Sequence, residues 1–209
     1  MLNYYMSAIL KPVKAIDTRQ QIIDVAKTII LGKGFSAVGL NEILTAANVP
    51  KGSFYHYFAS KETFGKAMLE GYFNDYIDTV KAVLQNANLS HAERLSAYFS
   101  HWLSTQLSDT KQDKCLVVKL SGEVTDLSEA MRQTLQKGTQ NVIDLLQACI
   151  DEGVVTDALH LTQSPETIAK ELYYMWLGAT LMTKVNHTRE ALDCAMQATK
   201  IRLNIQSIQ

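Results

Sequence analysis

The stretch Asn48-Val49-Pro50-Lys51-Gly52-Ser53-Phe54-Tyr55-His56-Tyr57-Phe58-Ala59-Ser60-Lys61 decides the fold. Pro50 follows a short turn and supplies the fixed φ that suits a helix start. The helix it opens, about Lys51–Phe58, spaces Phe54 and Phe58 at i, i+4, so one face buries both rings. Lys51, Ser53, Tyr55, His56 and Tyr57 are left on its other sides. Upstream, Leu40, Ile43, Leu44 and Ala47 stand at i, i+3, i+4, i+7, the apolar face of another helix. A helix, a tight turn and a second helix dense in phosphate- and base-binding groups make a helix-turn-helix pattern.

The chemistry of the second helix fits that pattern residue by residue. Gly52 permits close backbone approach to a phosphate, and the helix start offers unpaired N–H groups. Lys51 and Lys61 neutralise phosphates and release counterions, which makes binding fall steeply with salt. Tyr55 and Tyr57 suit phosphates or thymine methyls, while Ser53 and His56 suit base edges. The competing reading places Tyr55 and Tyr57 in the core.

Working outward, residues 1–16 lack periodicity and read as a flexible arm, and the opening residues lack the basic head of a secretory signal. A first helix runs from about Asp17 to Leu31, with Asp17 or Thr18 as its cap and Gly32-Lys33-Gly34 as its stop. Ser60 opens a long fourth helix to about Gln85, striped by Phe64, Ala67, Met68, Gly71 and Tyr72. Further helices are expected over 88–108, 115–124, 127–152 (ended by Gly153), 164–186 and 188–204, with a polar loop at 109–114. The expectation is an all-α protein of about nine helices. Residues 17–62 would form the DNA-binding domain and 63–209 a helical regulatory and dimerisation domain.

Totals narrow the class. The chain has 209 residues, 47% of them hydrophobic, and a net charge of −1. Residues 11–70 carry a net +3 and residues 71–209 a net −4, which suits a reader attached to an acidic body. No apolar run approaches the roughly 18 residues of a membrane span, so cytoplasm is the simplest address. Cys115, Cys149 and Cys194 are scattered and odd in number, which fits free thiols rather than a zinc site or a disulfide framework. No cofactor or metal is called for, and no enzyme motif appears.

Cys115 follows the polar loop at a helix start, with Lys114 beside it and Lys119 one turn on. A helix N-terminus and ammonium groups both favour the thiolate. Cys115 is therefore either a sensing thiol or a small buried hydrophobe. Tyr98, Trp102, Met175 and Trp176 would line an apolar pocket or pack as plain core. The apolar run Leu172–Met182 is too short for a membrane and reads as a helix buried on both sides, one of them against a second subunit.

Pro50 through Phe58, followed by Ser60-Lys61-Glu62, closely resembles the recognition segment of TetR-family repressors, with Val38-Gly39 departing from the usual Thr/Ser. The resemblance implies a dimer on a palindromic operator, joined through its last two helices. Cys115 through Ser121, Glu123-Val124, Asp126 through Glu129, and Trp176-Leu177-Gly178-Ala179 with Lys184 look like the NemR-type repressors of that family. This implies sensing of electrophiles or oxidants at Cys115, with Lys184 assisting. The alternative is induction by a reversibly bound small apolar ligand, Cys115 being incidental. A thiol enzyme using Cys115 with His101 or His91, or an architectural DNA protein, would leave part of the chain unexplained.

Overall fold

A computed structural model describes residues 17–108, 115–156 and 159–205. The expected arm over residues 1–16 and the expected loop over 109–114, Lys114 included, lie outside the described residues. Among those described there are nine helices and no strand: α1 (Thr18–Lys33), α2 (Leu40–Ala47), α3 (Lys51–Tyr57), α4 (Lys61–Leu84), α5 (His91–Leu107), α6 (Leu116–Leu127), α7 (Glu129–Val155), α8 (Pro165–Asn186) and α9 (Glu190–Arg202).

Helix starts follow local chemistry. The Asp17 carboxylate accepts from the Arg19 and Gln20 amides, and Ser60 with Thr63, and Ser90 with Glu93, form reciprocal capping boxes. Within the expected stop Gly32-Lys33-Gly34, Gly34, at φ +96°, ends α1 while Gly32 is still helical. Another stop differs from the sequence expectation: Gly153 does not end α7, which continues to Val155. A Cβ there would stand 2.6 Å from the Leu159 side chain, so this glycine serves close packing.

Two apolar cores are stacked end to end. The first joins α1, α2 and α3 to the start of α4, to α6 and to the start of α7, through Ile22, Ile43, Phe54, Phe58, Phe64, Leu120 and Met131 among others. Phe54, Phe58 and Phe64 form a ring triangle with centroids 5.2–5.7 Å apart, which fixes α3 on α4. The second gathers the end of α4 with α5, α7, α8 and α9 around Phe99, Trp102, Tyr173 and Trp176. Helix α4 runs through both. It is held to α7 by Gly138, where a Cβ would fall 2.3 Å from the Phe73 ring.

Candidate functional site

Helix α3 is short and buries only Phe54 within its span, so its other side chains face outward. Tyr55 is 50% exposed and Tyr57 39%; Lys51, Gly52 and His56 are exposed as well, and Ser53 is half-buried. The core reading of Tyr55 and Tyr57 is therefore set aside. The Lys51 ammonium lies 6.0 Å from the Tyr55 ring centroid, and His56 sits edge-on to Tyr57 at 4.9 Å. These contacts gather an ammonium, an imidazole and two phenols on one small surface.

Lys61 is placed differently from the expectation. Its ammonium donates to the Phe35 carbonyl at 2.8 Å and stands 4.7 Å over the Phe35 ring, so it braces the α1–α2 loop instead of projecting into solvent. Burial lowers its pKa, with the nearby Glu123 carboxylate opposing. Gly39, the residue before α2, makes no side-chain cap bond, as its lack of a side chain requires.

Cys115 stands at the N-cap of α6 and is half-buried. Burial pushes its thiol up from the ordinary value, against the N–H groups of Val118 and Val117 and the Tyr72 hydroxyl, all of which favour the thiolate. This corrects the sequence expectation. The helix start does favour the charged sulfur, but the loss of water around it outweighs that help. Alkylation of Cys115 is therefore expected to speed up about tenfold per pH unit from about pH 6 to about pH 9. Rates read by intact-protein mass spectrometry that level off near neutrality would contradict this.

Two cavities meet at Cys115. One, of about 230 Å³, is lined by Tyr72, Tyr76, Tyr98, Trp102 and His101 together with Cys115. The other, of about 580 Å³, is bordered by Cys115, Lys119, Thr180, Thr183, Lys184 and Arg189. Cys115 and Lys184 thus share a cavity, yet it is burial, and after it the charge of Lys119, that lowers the Lys184 pKa. The side chain that hydrogen-bonds the thiol itself is Tyr72, beside the Val117 and Val118 N–H groups. Tyr98 and Trp102 border the smaller cavity. Met175 and Trp176 do not: Trp176 is fully buried and donates to Thr199 Oγ1 at 2.9 Å, and Met175 packs against the second core.

Sequence reading missed three residues. The Tyr72 hydroxyl, on α4, interacts with both the Cys115 sulfur and the Leu116 N–H, bridging the two helices. Tyr76 stacks on Tyr72 with ring planes 7° apart, one turn along. Glu123, on α6, accepts from the Phe35 N–H at 3.0 Å and from the Ser36 N–H. Burial works against the Glu123 carboxylate, but its bonds to Ser36 and Phe35 and the Lys119 ammonium outweigh that and hold it below its usual range. The available signals were an acid at i+4 from Lys119 on α6 and a second tyrosine at i+4 on α4.

The model for bacterial regulatory proteins of the tetR family matches residues 22–68, and that for the tetracyclin repressor-like C-terminal domain matches residues 92–199. The chain belongs to the TetR family. It is similar to the HTH-type transcriptional repressor NemR of Escherichia coli K12, at 40% identity over 184 residues, covering 88% of this chain and 92% of that one. The repressor DhaR of Mycobacterium sp. strain GP1 is 33% identical, with 84% and 86% covered. The crystal structure of reduced E. coli NemR superposes with a TM-score of 0.86 at 38% identity, covering 92% of this chain and all of that one. As a TetR-type transcriptional repressor the protein is a regulator and not an enzyme, and among the described residues no helix is long and apolar enough to cross a membrane.

Proposed function

We propose that this TetR-type repressor binds a palindromic operator as a dimer and releases it when an electrophile or oxidant reacts with Cys115. The observation that carries the reading is the span of α6. Its first end is capped by Cys115, and Glu123, further along, holds the backbone of Phe35 and Ser36 in the DNA-binding unit. An adduct on sulfur enlarges the group between α6 and Tyr72 of α4. The helix must then shift, and the loop tied to Glu123 shifts with it. The coupling is a population shift between a DNA-competent and a released arrangement.

Dimerisation finds support on α8. Leu172, Tyr173 and Trp176 face the core, while Tyr174, Leu181, Met182 and Val185 stay exposed, joined by Ile201 on α9. An apolar face of this extent on one chain suits a two-fold partner. The reading as a soluble operator-binding protein places it in the cytoplasm.

A mobility-shift assay on the protein's own upstream region tests the proposal, with the mass of the complex read alongside. Wild type should bind as two chains and release after treatment with an enone, and Cys115→Ser should bind equally and stay bound. Release by Cys115→Ser at the same dose would favour the second reading, reversible ligand binding in the two cavities flanking Cys115. A complex holding a single chain would overturn the dimer.

A further inference from the structure

The smaller cavity beside Cys115 carries chemistry that the sensing thiol alone does not require. Three tyrosines from two helices, Tyr72 and Tyr76 of α4 and Tyr98 of α5, border it together with the sulfur. The Tyr76 and Tyr98 hydroxyls stand 3.2 Å apart and hydrogen-bond each other. Two hydroxyls hold two protons, and one bond between them uses one. The other proton remains available, and no hydrogen bond among the described residues takes it. Burial raises the pKa of Tyr72, Tyr76 and Tyr98, so all three are neutral donors at physiological pH and not phenolates. The volume, about 230 Å³, equals roughly seven or eight waters at about 30 Å³ each, room for a small molecule beside the sulfur. Tyr72, Tyr76, Tyr98 and Trp102 supply its aromatic wall, beside Val80 and Val83 and the charged Lys27 and Asp75, with Trp102 edge-on to Tyr98 at 6.0 Å.

We infer that the Tyr76–Tyr98 hydroxyl pair is a donor subsite for the carbonyl oxygen of the electrophile, so that the cavity selects small neutral carbonyl compounds such as enones over electrophiles without an acceptor oxygen. This rests on the reading that Cys115 is the reacting thiol. In the step, the Cys115 sulfur forms a bond to the β-carbon of the enone. The C=C electron pair moves through the conjugated system, negative charge gathers on the carbonyl oxygen, and the spare tyrosine proton is hydrogen-bonded to that oxygen as the charge develops. The proton lost by the thiol ends on the α-carbon through water, leaving a thioether and a saturated ketone. Nothing is oxidised or reduced. The phenols make the reaction possible at a thiol whose own pKa is unfavourable, because they lower the barrier at the far end of the electrophile.

The test compares two probes on two proteins. Butenone carries the acceptor oxygen. Methyl iodide does not, and it reacts by forming S–C and expelling iodide. Pseudo-first-order rates of Cys115 modification are read by peptide mass spectrometry for wild type and for Tyr76→Phe/Tyr98→Phe. The double substitution is needed because either hydroxyl alone keeps a free proton. Removing both partners of one hydrogen bond while keeping both rings should leave the fold intact, which a melting curve checks. The expected result is a butenone rate lower by about tenfold, as loss of one hydrogen bond implies, with the methyl iodide rate within about twofold of wild type. Equal slowing of both probes, or of neither, overturns the inference. Butenone found on Cys149 or Cys194 instead of Cys115 in wild type would overturn the sensing assignment itself, a separate failure.

Discussion

Gly52→Ala is expected to weaken operator binding by about tenfold or more while the melting temperature stays level or rises. Inside the chain nothing calls for glycine at this position: a Cβ there would meet no atom within 4 Å. By helix propensity alone alanine should stabilise α3, by up to about 0.5–1 kcal/mol. A glycine kept where the fold gains nothing from it points outward, to a partner that needs the room. On the proposed surface that partner is a phosphate approaching the α3 backbone between Lys51 and Tyr55, and a methyl group holds it away. Paired mobility-shift and thermal-melt measurements separate the two effects, since a purely structural glycine would lose both together. Unchanged affinity would mean that the duplex lies elsewhere.

Glu123→Ala is expected to keep operator binding and lose most of the response to Cys115 modification. The affinity ratio between unmodified and modified protein should shrink to about threefold or less. Without the carboxylate, α6 can move and the Phe35–Ser36 backbone no longer follows, because the freed Ser36 N–H is exposed and water takes its bond. Phe35 is buried, so its N–H loses more, and the stability cost should sit near the low end of the usual range, about 1 kcal/mol. The sign of the pH dependence follows from the depressed pKa. A carboxyl held below its unfolded value contributes fully above that value, about 4.3, and is lost as pH falls through the lower folded one. The joint is thus insensitive to pH across the neutral range. A variant that releases as wild type does would show that the signal travels by another route.

The reader was legible in the sequence because its groups are consecutive. Pro50 through Phe58 specify turn, helix, buried face and exposed face within nine residues, and Ser164-Pro165 marked the start of α8 for the same local reason. The proposed switch was less legible because its parts are distant in the chain. Cys115 was found from its position at a helix start, but whether its charge is favoured depends on its burial in the fold, set against the hydroxyl of Tyr72, which lies 43 residues earlier. Lys61 was misplaced for a similar reason: its ammonium finds the Phe35 carbonyl, 26 residues away, before it finds solvent. Met175 and Trp176 look like pocket residues by type, and only the packing of α8 against α9 and α5 shows them to be filling.

The length of α4 has a mechanical consequence. Its 24 residues span about 36 Å, with the far end seated in the second core and the near end carrying the α3 surface. Tyr72 lies at the midpoint, so a sideways push of about 1.5 Å there, less than the width of one added carbon atom, sweeps the near end by about 3 Å. In the proposed dimer, two such arms related by a dyad would change their spacing by up to about 6 Å, against a half-site repeat of about 34 Å. On the proposed reading, an adduct of a few atoms would have the leverage to take both arms out of step with the groove.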